Sequence, residues 1–127
     1  MFYNRFELIL RIVVAVSGAF SVLFGAWLSH AGQTLSPDIH ARLATALQYQ
    51  FLHTIVLFGL WLYYRINQQR RVAYISAMFI AGILLFSGSL YLKTLLQLDV
   101  IGKAAPFGGT LFAIAWLALF FIGKSKT

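Results

Sequence analysis

Four long apolar runs separated by short polar interruptions dominate the chain: Leu8 to Leu28, Ala44 to Tyr64, Val72 to Leu92 and Ala104 to Ile122. A hydrocarbon core of about 30 Å needs roughly 20 mostly apolar residues as a helix, and each run reaches that length. Lipid offers no partner to a free backbone group, so such runs form α-helices. The connections leave no room for a separate soluble domain. The pattern predicts an all-α membrane protein with a single integral domain, residues 1–127. Its spans are expected at about 8–30, 44–64, 72–92 and 104–122, packed as an up-down bundle of four transmembrane helices.

Ser36-Pro37-Asp38 reads as a helix start, with Ser as cap, Pro in the first turn and an acid against the helix dipole. Helix two is then expected from Pro37 to Tyr64, about 42 Å long. Its first turns, with Asp38, His40 and Arg42, are expected to overhang the membrane, and His40 to be solvated.

Polar residues interrupt the runs mainly in one zone. Span one ends in FGAWLSHA with His30, and span two opens with LQYQFLHT. Span three ends in FSGSLYLK, and span four opens with AAPFGG. In an antiparallel bundle these four ends meet on one side. Apart from Ser17, Ser21 and Ser76, the uncharged polar clusters within the spans therefore fall in that half. On an ideal helix Tyr49, Gln50, His53 and Thr54 share an arc of roughly 140°, and Gln48 faces away. Ser87 and Tyr91 share a face of span three. Unpaired polar groups are costly in hydrocarbon, so the arc is expected to point into the bundle.

Small residues mark expected helix contacts: Ser17, Ser21, Gly25 and Ser29 at spacing four, with Gly18 beside them. Gly88, Gly108 and Gly109 belong to the same class, as do Ala73, Ala77, Ala81 and Ala113. Without a hydrophobic effect between helices in lipid, close approach through small side chains carries packing.

Composition fits this picture, at 61% hydrophobic and 10% charged residues. The absence of cysteine excludes disulfides and thiolate chemistry. The net charge of +7 is scattered at helix ends, with no nucleic-acid footprint. Arg5, Arg11, Arg65, Arg70, Arg71, Lys124 and Lys126 fall on one side, and Arg42, Lys93 and Lys103 on the other. Positive residues favour the cytoplasm, so both termini are expected there. Trp61, Tyr63, Tyr64 and Tyr74 are expected at the Arg-rich interface, and Trp27, Tyr49 and Tyr91 at the opposite one. Ser29-His30-Ala31 resembles a signal-peptide cleavage site, but the apolar run before it is longer than such peptides carry. A retained helix is expected.

The polar zone admits three uses. Its side chains can bond one another and fix the helix register. They can line an outward-facing pocket for a small molecule, lipid headgroup or quinone, built from His30, Tyr49, Gln50, His53, Thr54, Ser87, Ser89 and Tyr91. Or His30 and His53 can hold haem or a metal, which requires both to point inward at one depth. Catalytic templates fit poorly. The three acids, Glu7, Asp38 and Asp99, sit at predicted helix ends, and no nucleotide, phosphate or zinc motif is present. No enzyme, cofactor or metal site is read from the residues.

FGAWLSHA, the YQFLH core, LFSGSLYL and PFGG, in this order, resemble the YgdD/YwdK family of small bacterial membrane proteins, a domain of unknown function. The likeness runs from about Ser17 to Ile122. The family's Gly-Ala-aromatic-x-x-His matches Gly25, Ala26, Trp27 and His30, and its Tyr-Gln-x-x-His matches Tyr49, Gln50 and His53. Its Phe-Ser-Gly-Ser-Leu-Tyr matches Phe86 to Tyr91, and its Pro-x-Gly-Gly matches Pro106, Gly108 and Gly109. Two positions depart: Gln48 stands where some relatives have Glu, and Ala105 where many have Thr. The resemblance implies four helices in the inner membrane and supplies no reaction. The resulting expectation is an accessory or assembly component, with the lipid bilayer and other membrane proteins or a second copy as partners.

Overall fold

The computed structural model describes residues 2–123. Lys124 and Lys126, counted above among the charges, lie outside the described residues. Four helices long and apolar enough to cross a membrane form the molecule. The first is α1, Phe2–His30, which ends in a 3-10 turn over Ala31–Thr34. The second is α2, Pro37–Asn67. The third starts as α3, Arg70–Ile83, passes through a π-helical turn at Leu84–Gly88 and continues as α4, Ser89–Leu95. The fourth enters through a 3-10 segment, Asp99–Ala104, becomes α5, Ala105–Ala118, and closes with a 3-10 turn at Leu119–Phe121.

The helices extend past the apolar runs because interfacial polar residues remain helical. At about 1.5 Å per residue α2 is about 46 Å long, three residues beyond the expected Tyr64 end. The Ser36 hydroxyl accepts the Ile39 N–H at 3.4 Å, so the cap read from Ser-Pro-Asp forms. Gln68 closes α2 in the left-handed conformation, φ 48°, its N–H bonded to the Tyr64 carbonyl.

The first turns of α2 do not stand free in solvent. The short hairpin folds them against the end of α1, where His40 Nε2 lies 3.2 Å from the Leu28 carbonyl and donates to it. Carbonyls in a final helical turn lack intrahelical donors, and the imidazole supplies one. His40 is therefore half-buried rather than solvated.

The apolar core lies toward the Arg-rich end, where Leu10, Leu57, Tyr64, Val72, Phe79, Phe112 and Ala115 pack together. Tyr64 was expected among the interfacial aromatics, yet its ring is buried edge-on against Phe6. Trp61 Nε1 donates to Glu7 Oε1 at 2.7 Å, and Arg11 and Arg65 flank the same carboxylate at 3.9 and 4.0 Å. Arg71 donates to the Phe121 carbonyl at 2.8 Å, placing a cation on the C-terminal end of the fourth helix.

The small-residue stripes divide. A Cβ on Gly25 would lie 3.3 Å from Leu47, so α1 and α2 meet closely there. Gly108 seats the start of α5 on the π turn: a Cβ would come within 2.8 Å of the Leu85 carbonyl carbon and closer still to the Phe86 nitrogen. Gly109 shows only ordinary contact with the Phe86 ring. Gly88 is not a packing residue, because a Cβ there would meet only its own turn's Ile83 oxygen at 3.9 Å. Ala77 and Ala113 are exposed, whereas Gly82, absent from the expected set, lies directly beneath the Phe112 ring.

Candidate functional site: a polar layer inside the bundle

The polar residues of α2 form two separate hydrogen-bonded groups. In the first, His53 is 2% exposed. Its Nδ1 donates to the Tyr49 carbonyl at 2.6 Å, while its Nε2 accepts the Trp116 indole N–H at 3.1 Å. A carbonyl only accepts and an indole only donates, so this geometry fixes the imidazole as the Nδ1–H tautomer. The ring stacks on Phe112 with centroids 3.6 Å apart and planes 5° apart, and the Phe79 ring lies tilted against it at 5.7 Å. Both ring nitrogens are therefore engaged, and aromatic rings enclose the site.

The second group joins three helices. The Tyr91 hydroxyl donates to Gln50 Oε1 at 2.7 Å, and Gln50 Nε2 donates to Ser17 Oγ at 3.0 Å. Thr54 Oγ1 donates to its own helix at the Gln50 carbonyl, 2.7 Å away. The 2.7 Å bond between Ser17 and Thr54 is consequently donated by Ser17. The proton direction along the chain is thus set from Tyr91 to the Gln50 backbone. Ser21 Oγ donates to the Ser17 carbonyl, and Ser87 Oγ, fully buried, donates to the Ala46 carbonyl at 2.7 Å. Ser89 donates to Phe86 O at 2.9 Å within the π turn's exit. The same carbonyl also accepts the Ser89 backbone N–H, so the hydroxyl is its second donor.

Gln50, His53 and Thr54 of the α2 arc are buried, Tyr91 bonds Gln50, Ser87 bonds the Ala46 carbonyl instead, and Gln48 is exposed. Tyr49 departs from expectation: it is 39% exposed at the edge of the layer, its ring 4.5 Å from Phe86. Its position one turn before His53 aligns it with the aromatic wall rather than the hydrogen-bonded interior. His30 lies apart, exposed on the last turn of α1. Helix one continues past the layer before it ends, so His30 and His53 do not converge as the haem or metal reading required. Among the described residues no three or more His, Cys, Asp or Glu side chains cluster. Ser17, Gln50 and His53 fall within two residues of the midpoints of their helices, whereas Ser87, Ser89 and Tyr91 lie in the last part of the third.

Trp116 and Phe112 were missed from the sequence. The signal was present, since Trp116 is the one side chain with a polar atom in the stretch LFAIAWLALF. An indole N–H inside lipid needs an acceptor on a neighbouring helix.

Cavities open beside the layer. An almost wholly apolar groove of about 410 Å³ between α1 and α3 runs along Ile12, Val16, Phe20, Ile80 and Ile83, with Ser17 and Gln50 also bordering it. Another, of about 490 Å³, lies between α1 and α2 and includes Ser21, Gly25, Ser29, His40 and Gln48.

Residues 24–109 match the family model described as a protein of unknown function, DUF423. Over 109 residues the chain is 39% identical to a UPF0382 membrane protein of Haemophilus influenzae, covering 84% of this chain and 86% of that one. It is 36% identical to the UPF0382 inner membrane protein YgdD of Escherichia coli K12, covering 97% and 92%. With the UPF0382 membrane protein YwdK of Bacillus subtilis it shares 31% identity, covering 85% and 89%. No solved structure matches the chain. With the four spanning helices and the polar layer in place, these matches show that the chain belongs to the DUF423 family of multi-pass inner-membrane proteins.

Proposed function

We propose that this protein is an accessory or assembly component of the membrane without catalytic chemistry of its own, and that its polar layer locks helix register. One observation carries this reading: both ring nitrogens of His53 and the hydroxyls of Ser17, Thr54, Ser87 and Tyr91 are bonded to other protein groups. A general base or nucleophile needs a lone pair facing substrate, and here both imidazole nitrogens are taken while Thr54 and Ser87 are buried. A greasy four-helix bundle has little else to define how its helices slide and rotate, because lipid and leucine are equally apolar.

The two termini are proposed to face the cytoplasm. Arg5, Arg11, Arg65, Arg70 and Arg71 gather at one end, and only Arg42, Lys93 and Lys103 at the other.

The partner is sought by crosslinking from α1, the least enclosed helix, whose Val16, Val22 and Leu23 are more than 60% exposed. A photo-crosslinker at Leu23 in living cells is expected to trap one discrete membrane protein or a second copy of this chain. Adducts to lipid alone would overturn the assembly role. Turnover of any metabolite that His53→Ala abolishes while the fold survives would overturn the non-catalytic reading.

A further inference from the structure

Of the ten glycines, Gly59 alone has no described atom within 4 Å of where a Cβ would stand. Gly25, Gly82 and Gly108 make room for a neighbouring side chain or backbone, and Gly59 does not. Glycine is a poor residue for a helix interior, and close helix approach is its common use in a membrane. At Gly59 the missing side chain leaves a notch instead. The notch belongs to a groove of about 320 Å³ between α2 and the end of the fourth helix. Val56, Gly59, Leu60, Tyr63, Leu119 and Ile122 line it.

One end of this apolar groove is polar. Arg71, exposed, donates to the Phe121 carbonyl, and the next residue, Ile122, lines the groove. A guanidinium carries five N–H donors, and this bond uses one. The Tyr63 hydroxyl lies at the same end, 3.8 Å from where a Cβ of Gly123 would stand. That hydroxyl has no hydrogen-bond partner among the described residues.

Depth and charge select the occupant. From Val56 to Asn67, the last residue of α2, the helix rises about 16 Å, close to the roughly 15 Å of one leaflet's hydrocarbon. The groove therefore runs from near the bilayer centre to the headgroups, the reach of one acyl chain and its phosphate. The same end of the molecule holds Arg5, Arg11, Arg65, Arg70 and Arg71 against one carboxylate, Glu7. A phosphodiester suits that field, and the additional ammonium of a zwitterionic headgroup opposes it.

We propose that this groove is a site for an anionic phospholipid. One acyl chain lies over Gly59, and Arg71 and the Tyr63 hydroxyl hold the headgroup phosphate. The site shares no residue with the polar layer, so it goes beyond the register-lock reading and does not depend on it.

The test is native mass spectrometry of the full chain, titrated in detergent with dioleoylphosphatidylglycerol, dioleoylphosphatidylcholine or glycerophosphoglycerol, the headgroup without chains. One phosphatidylglycerol per chain is expected, held at least fivefold more tightly than phosphatidylcholine, with no retention of the bare headgroup. Arg71→Gln is expected to weaken phosphatidylglycerol binding about fivefold, the worth of one arginine at a membrane surface. Arg42→Gln removes the same charge at the other end and is expected to leave binding unchanged. Gly59→Phe fills the notch where no described atom stands in the way. It is expected to weaken binding at least tenfold with the unfolding temperature unchanged. Four results would each overturn the site: no stoichiometric lipid, equal retention of the two lipids, equal losses in Arg71→Gln and Arg42→Gln, or wild-type binding by Gly59→Phe. Retention of the bare headgroup as tightly as the lipid would also overturn it, leaving an anion site without a chain. A lipid-free dimer that Gly59→Phe abolishes would give the notch to a second copy instead.

Discussion

His53 shows how a single polar residue is made tolerable inside lipid. Its two nitrogens need two partners of opposite kind, and the fold supplies a carbonyl one turn back on the same helix and an indole N–H from another. His53→Ala removes the acceptor and leaves the Trp116 donor unpaired on a side chain that faces lipid. The cost is expected at about 1–3 kcal/mol in detergent unfolding. The His53→Ala/Trp116→Phe double-mutant cycle isolates the pair itself, with an expected coupling of about 0.6–1.7 kcal/mol. A coupling of zero would remove the pair from the account of register. Ser76 offers the contrast. The residue is 0% exposed and its hydroxyl has no hydrogen-bond partner among the described residues, so Ser76→Ala is expected to leave stability unchanged or raise it. Ser87→Ala breaks the bond to Ala46 O and is expected to cost about 1 kcal/mol in the same assay. If the two serines respond alike, bonding is not what distinguishes them.

At the scale of elements, the third helix is where sequence and structure part. FSGSLY reads as a regular helix face, and spacing four placed Ser87 and Tyr91 together. The π turn at Leu84–Gly88 inserts into that register, yet both side chains still reach α2, Ser87 at Ala46 and Tyr91 at Gln50. Nothing local announces such a turn. It coincides with the point where the Gly108 backbone presses on Leu85 and Phe86, a tertiary contact that periodicity does not encode. The Ser36 cap, by contrast, is a local signal and was legible, as was the inward arc of α2. The two adjacent glycines provide the check. Gly108→Ala drives a methyl into backbone and is expected to destabilise by about 1–3 kcal/mol, as overpacking does. Gly109→Ala meets only the Phe86 ring at 3.7 Å and is expected to be close to neutral. Equal effects would mean that helix propensity, not the close approach, governs this joint.

For the whole molecule, the four spans were legible because length and hydropathy are the properties a bilayer selects on. What the bundle does with its faces was not, since lipid-facing and helix-facing positions are equally apolar and only polar or small residues separate them. Orientation stands between these cases: charge predicts it, and charge also builds contacts within the protein. Arg11 and Arg65 flank Glu7, and Arg71 sits on the end of the fourth helix, so arginines counted for topology have protein partners as well. Ion pairing with Glu7 offsets one positive charge and leaves the Arg-rich end still the more basic. The proposed orientation rests on that remaining excess. The chain has no cysteine, which makes a direct reading simple. Ser36→Cys lies in the α1–α2 connection and Gln68→Cys in the α2–α3 connection, both exposed and at opposite ends of α2. With a membrane-impermeant maleimide applied to spheroplasts, Ser36→Cys is expected to label and Gln68→Cys to label only after lysis. The reverse pattern would invert the topology, and with it the face from which any partner is sought.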